Sequence, residues 1–359
     1  MARHQVFVVH GMGDFNKEWS LDAQKTLTTA FNQYALVKQL GLTNQFEFVE
    51  INYNDIFEEI RAQWKTNASA ASTALAATGL ASSAINSLVN LANGATGNDF
   101  WRTHVLDVVL YRFMKPISER VTQAVRLQIL DRLKTFPQND VPSWSVIAHS
   151  LGTSIVNDTL HAMFSQPVDG VLLGDRFKPD FIFMVANVAK LLWNRGGDFY
   201  SSRVRPHTVD TLGMCWRYCN FHHALDPIPR VDKFDPPVHW FPEGIQPSQR
   251  SAFYSDVQID ATDIQDINVH GLNHYLSHPL VNSVIINTLA GFEAVLPTDV
   301  NAALVKWRKD RETGPAAKKI KDTLSALLMS NPEWARIIEM LVAFRGVVLS
   351  DSTLPDGEG

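Results

Sequence analysis

The segment Val146-Ile-Ala-His-Ser-Leu-Gly-Thr-Ser154 limits what this chain can fold into more than any other stretch. Trp144 to Ala148 is dominated by apolar residues and reads as a buried central strand. Helical periodicity takes over from Thr153 to Phe164. His149-Ser-Leu-Gly152 must therefore turn the chain sharply from strand to helix. At such a turn the two elements pass close together, and the apical residue is held in a strained backbone conformation. The positions two before and two after the apex then have to be small. Ala148 and Gly152 meet that condition around Ser150.

The rest of the chain supplies the setting such a turn needs. Gln5 to His10 is a short run rich in β-branched and aromatic residues that stops at Gly11 and reads as a strand. Residues 20–41 look helical, and Phe46 to Tyr53 alternates as a second strand. Val105 to Tyr111 is apolar and fits strand or helix. Residues 116–135 are helical, Phe181 to Val188 and Met214 to Phe221 are further apolar strands, and 279–296 is a helix. Residues 232–250 hold several prolines and read as an ordered loop. Alternating strands and helices over roughly 5–296 predict an α/β protein with a mostly parallel, doubly wound sheet. We place one α/β domain over residues 1–300, with a helical insertion at about 57–100. A C-terminal helical extension with an acidic tail follows over 301–359. No internal repeat is visible.

The turn also has chemical meaning. The new helix points its first amides at Ser150, which suits a developing oxyanion. A second motif, Val8-Val9-His10-Gly11-Met12-Gly13, follows the first strand, where glycines let the backbone turn an N–H inward. The two motifs together, in this order, resemble the lipase and esterase branch of the α/β-hydrolase superfamily. Ala148 departs from the glycine usual at its position but remains small. The resemblance implies the α/β-hydrolase fold, Ser150 as nucleophile, and the amides of Leu151 and Met12 as oxyanion donors. His10, Gly11 and Gly13 would support the Met12 loop. It also implies the chain order serine, acid, histidine.

The acid is expected on a loop after a late strand. Asp226-Pro227, beyond the strand ending near Phe221, resembles the superfamily's Asp-Pro step; Asp232 and Asp235 are weaker candidates. The base must follow it. Among His239, His270, His274 and His278, the segment Asn268-Val-His-Gly-Leu-Asn-His-Tyr-Leu-Ser-His-Pro279 resembles the superfamily's histidine loop. His270 fits its spacing to Tyr275 and Pro279, and His274 is the runner-up. A rival reading takes His270, His274 and His278 as metal ligands along one helical face. Gly271 and Pro279 weaken that helix, and we expect neither a metal nor an organic cofactor. The expected activity is hydrolysis of a carboxylic ester or lipid by an acyl-enzyme route. A thioesterase, amidase or acyltransferase would use the same residues, and a non-catalytic interaction protein on a hydrolase scaffold is the reading from another class.

Thr66 to Asn98 carries no charged residue and is rich in Ala, Ser, Thr and Asn. It reads either as a packed helical hairpin or as a lid over an active site that meets a lipid interface. The net charge of -5 with mixed signs gives no electrostatic reason to expect nucleic acid. Cys215 and Cys219, the only two cysteines, fall in one apparent strand, roughly 13 Å apart and beyond disulfide reach. The opening residues lack a secretory signal pattern and no long apolar run exists, so a cytoplasmic location is expected, with non-classical export left open. Oligomeric state leaves no trace in the sequence.

Overall fold

The computed structural model describes residues 3–66, 107–136, 140–165, 177–207, 213–237, 240–264 and 268–313, apart from positions 14, 109, 113, 194, 196, 227, 242 and 243. Its strands are β1 His4–Val9, β2 Phe46–Ile51, β3 Trp144–His149, β4 Phe181–Val185, β5 Arg217–His223 and β6 Tyr254–Ile259. They form one sheet in the order β2-β1-β3-β4-β5-β6, and every pairing is parallel. The main described helices are α1 Leu21–Asn32, α2 Ala35–Leu40, α3 Asn54–Thr66, α4 Lys115–Leu133, α5 Leu151–Ser165, α6 Leu272–Ser277, α7 Pro279–Ala290 and α8 Pro297–Thr313.

Side chains alternate across this sheet and build two cores. Val6, Ile147, Phe183, Val185, Cys219 and Phe221 pack with residues of α1, α2 and α7. Phe7, Val9, Trp144, Val146, Ala148, Ile182, Met184 and Tyr218 pack with α3, α4 and α5. A sheet covered on both faces buries both sides of its central strands, and β3, apolar but for Ser145 and His149, is buried at every residue. The chain leaves β1 toward β2, returns past β1 to β3, and continues outward to β6. Right-handed crossovers then put α1 on one face and α4 and α5 on the other. The reversal falls between β1 and β3. Crevices for ligands form at such switch points, outside the carboxyl ends of the strands. The β1 end leads into His10–Gly13 and the β3 end into Ser150.

Several boundaries differ from the sequence reading for physical reasons. β6, with the sequence Tyr-Ser-Asp-Val-Gln-Ile, was not expected as a strand. It is an edge strand, mostly half-buried or exposed, so it needs no apolar run. The helix expected over 20–41 divides at Gln33 and Tyr34, and α2 ends at Gly41 in the left-handed region (φ 59). The helix expected over 279–296 stops at Ala290, where Gly291 turns left-handed (φ 74). Residues 107–108 and 110–112 are helical. Strand β5 begins at Arg217, so Cys215 precedes it, on an isolated bridge to Pro206; both cysteines are buried and free.

Helix α8 begins before residue 300 and is docked on the domain. Trp307 is buried with its ring 4.8 Å from that of His278. Arg308 grips both carboxylate oxygens of Asp263, at 2.6 and 2.7 Å. Residues 67–106, which hold nearly all of the uncharged stretch, lie outside the described residues. Among the described residues no helix is long and apolar enough to cross a membrane.

Candidate active site

Ser150 sits where β3 becomes α5, with φ 51, a region that L-residues other than Gly, Asn and Asp rarely adopt. The surrounding bonds impose this. Its amide donates to the Val185 carbonyl at the end of β4 (2.9 Å). Its carbonyl accepts from the Thr153 amide (2.8 Å) and hydroxyl (2.6 Å). Gly152 has to lack a side chain, because a Cβ there would lie 2.2 Å from the His10 carbonyl oxygen. Gly11 is equally constrained from the other side. A Cβ on it would sit 2.8 Å from His149 Nδ1 and 2.9 Å from Ser150 Cβ. The β1 and β3 loops thus meet at the serine with no room between them.

His270 lies on the loop between β6 and α6. Its Nε2 is 2.8 Å from Ser150 Oγ and its Nδ1 is 2.7 Å from Asp226 Oδ2. Asp226 lies on the loop after β5 and is wholly buried. Its Oδ2 also accepts from the Tyr275 hydroxyl (2.9 Å) and its Oδ1 from the Ile228 amide (3.2 Å). The Tyr275 oxygen in turn accepts from the His223 amide (3.0 Å), which leaves its hydrogen for the carboxylate. Burial alone would raise the Asp226 carboxyl. The paired His270 imidazole and the hydrogen bonds from His270, Tyr275 and Ile228 outweigh it and hold the group below the usual carboxylate range. An ionised Asp226 only accepts, so Nδ1 of His270 carries the hydrogen. The lone pair of Nε2 then faces the serine hydroxyl, as a general base requires.

The two residues expected to supply oxyanion donors lie on the elements that follow β3 and β1. Leu151 opens α5, and Met12 packs against the core on the β1 loop. Neither amide has a hydrogen-bond acceptor among the described residues.

The runner-up base does not reach the serine. His274 lies on α6 and packs against His223 (ring centroids 5.3 Å) and Trp307 (6.1 Å). His270, His274 and His278 share no helical face: His270 precedes α6, and His278 caps α7, accepting from the Leu280 amide. The metal-face reading of these three histidines is therefore wrong in its geometry. Asp232 pairs with Lys190 (2.9 Å). His239 and Pro227 lie outside the described residues. A cavity of about 310 Å³ borders Ala224 and Pro229 on the Asp226 loop, but none of Ser150, Asp226 and His270 lines it.

Sequence reasoning gave no role to His149, which ties the site together. Its Nε2 lies 2.7 Å from the His270 carbonyl oxygen, joining the serine turn to the histidine loop. Burial, and next the nearby His270, lower its pKa to about 3, so it is neutral and donates that hydrogen. The available signal was an ionisable side chain ending a mostly apolar strand. Tyr275 had served only as a spacing landmark, and Tyr53 carried no expectation at all.

Fold and site together define an α/β protein with a buried Asp–His–Ser hydrogen-bonded chain at the switch point of a parallel sheet. Comparisons with family models, curated proteins and solved structures found no match for the chain.

Proposed function

We propose that this chain is a serine hydrolase of the α/β-hydrolase type that cleaves carboxylic esters through an acyl-enzyme on Ser150. The observation that carries the reading is the continuous chain Asp226–His270–Ser150, at 2.7 and 2.8 Å, ending on a serine with positive φ. Ser150 Oγ attacks the ester carbonyl while His270 Nε2 takes its proton. The Met12 and Leu151 amides bind the oxyanion. His270 then protonates the departing alcohol, and a water activated by the same imidazole releases the acid. Asp226 stays ionised throughout and stabilises the imidazolium. No metal or organic cofactor takes part.

The favoured substrate is an ester with an apolar acyl group, a lipid or phospholipid among them. The support is the composition of the uncharged stretch 66–98, whose lack of charge suits an apolar acyl chain or transient contact with a lipid interface. Leu80→Asp or Leu88→Asp should then cost activity on long acyl chains selectively; equal loss on every substrate assigns the stretch to packing instead. Hydrolysis of p-nitrophenyl esters tests the main reading. It should fall by about 10³-fold or more in Ser150→Ala without loss of folding. Retention of most activity would remove Ser150 from the mechanism.

A further inference from the structure

The Met12 amide can stabilise an oxyanion only if the Gly11–Met12 peptide is held in one of its two orientations. We propose that Tyr53 and His10 are positioning residues that lock this peptide with its N–H toward the reacting carbonyl oxygen, an inference that rests on the hydrolase reading above.

Tyr53 follows β2 and is buried. Its hydroxyl lies 2.9 Å from the Gly11 carbonyl oxygen and 2.6 Å from that of His10. His10 Nδ1 lies 2.8 Å from the same Gly11 oxygen. The Tyr53 amide points at His10 Nε2 (3.4 Å), so Nε2 accepts and Nδ1 carries the hydrogen. The Gly11 oxygen therefore accepts from His10 Nδ1, and the single Tyr53 hydrogen is shared between it and the nearer His10 oxygen. In a planar trans peptide the carbonyl and the following N–H point in opposite directions. Holding the Gly11 oxygen toward Tyr53 and His10 turns the Met12 N–H away from them. Gly11 lies close against Ser150, since a Cβ there would lie 2.9 Å from the serine Cβ.

The lock is itself built rigidly. The His10 ring stacks on Tyr53 (3.9 Å) and meets Phe15 (4.3 Å) and Trp19 (5.1 Å). The loop bearing those two aromatics is tied to β2 through the Glu50 carboxylate, which accepts from the Glu18 and Ser20 amides at 3.0 and 2.9 Å. Burial, with Asp107 adding to it, keeps the Tyr53 hydroxyl protonated, and burial holds His10 neutral with a pKa of about 4. Both donors persist across the neutral range. The opposite peptide orientation would aim a carbonyl at the oxyanion and forfeit both bonds.

Tyr53→Phe keeps the ring stack and deletes the O–H. On p-nitrophenyl esters its kcat should fall between about tenfold and a hundredfold, with KM nearly unchanged. Affinity for an alkyl boronic acid, which forms a tetrahedral adduct on the serine, should fall by the same factor. Loss of packing alone would not make these two readouts move together. His10→Asn, whose amide can place a donor near the Nδ1 position, should retain more activity than His10→Ala; this pair decides the matter should Tyr53→Phe not fold. A folded Tyr53→Phe with wild-type kcat and boronate affinity overturns the lock alone, as does His10→Asn no better than His10→Ala. A wild type inactive on every ester and blind to boronate overturns the hydrolase reading and the lock with it.

Discussion

The two ends of the Asp226–His270–Ser150 chain are held by different physics. At the serine end backbone contact does the holding: φ 51 at Ser150, and no space for a Cβ at Gly11 or Gly152. At the acid end side-chain and amide hydrogen bonds do it. Tyr275, Ile228 and His270 all donate to Asp226, and His149 reaches across to the His270 carbonyl. Steric constraint is brittle and local, so a single methyl group should disable it. A hydrogen-bonded assembly is distributed, so losing one member should cost less than losing the site.

The largest expected effect is removal of the group on which both ends converge. His270→Ala should lower ester hydrolysis by about 10³-fold or more, while His274→Ala leaves catalysis largely intact. The reverse pattern in steady-state kinetics would reassign the base. Next comes the steric end. Gly152→Ala places a Cβ against backbone, which a rotamer change cannot relieve. It should destabilise the fold by about 1–3 kcal/mol and remove most activity, measured by urea unfolding and kinetics together. Wild-type behaviour there would show that the turn is looser than its geometry.

The acid end should give way by degrees. Tyr275→Phe deletes one donor to Asp226 and one acceptor for the His223 amide. It should cost about 1–2 kcal/mol of stability and about tenfold in kcat, not the loss seen for His270→Ala. An equally large loss would mean that the phenol is part of the reacting set.

This contrast also explains what was legible in the sequence. Steric constraint writes itself into neighbouring residues, so His149-Ser-Leu-Gly152 and His10-Gly-Met-Gly13 could be read directly, and with them the switch-point strands β1 and β3. Asp226 and His270 were found only through the chain order that the resemblance implies. Tyr53 and His149 act on the site through partners about 40 and 121 residues away in sequence, as the Tyr53–His10 and His149–His270 bonds show, and no local pattern marks such pairs. Edge strand β6 was missed because a strand half open to solvent has no need of an apolar run.

A separate expected effect concerns pH and is read in stability, not in turnover. His10 and His149 are buried, with pKa values lowered to about 4 and about 3, against 6.5 when unfolded. Below pH 6.5 the unfolded chain binds protons that the folded one refuses. Stability is thus full above that value and declines as pH falls toward 4 and then 3, by at most about 1.4 kcal/mol per pH unit for each group. His149→Gln should flatten this slope in unfolding measured between pH 4 and 7. An unchanged slope would show that His149 does not contribute.

All of these comparisons assume that Ser150 is a working nucleophile, and a fluorophosphonate probe asks that directly. The wild-type protein should be labelled covalently, with peptide mass spectrometry placing the adduct on Ser150. Ser150→Ala should take no label, and His270→Ala should label far more slowly. A folded wild type that stays unlabelled, or an adduct on another residue, would contradict the account.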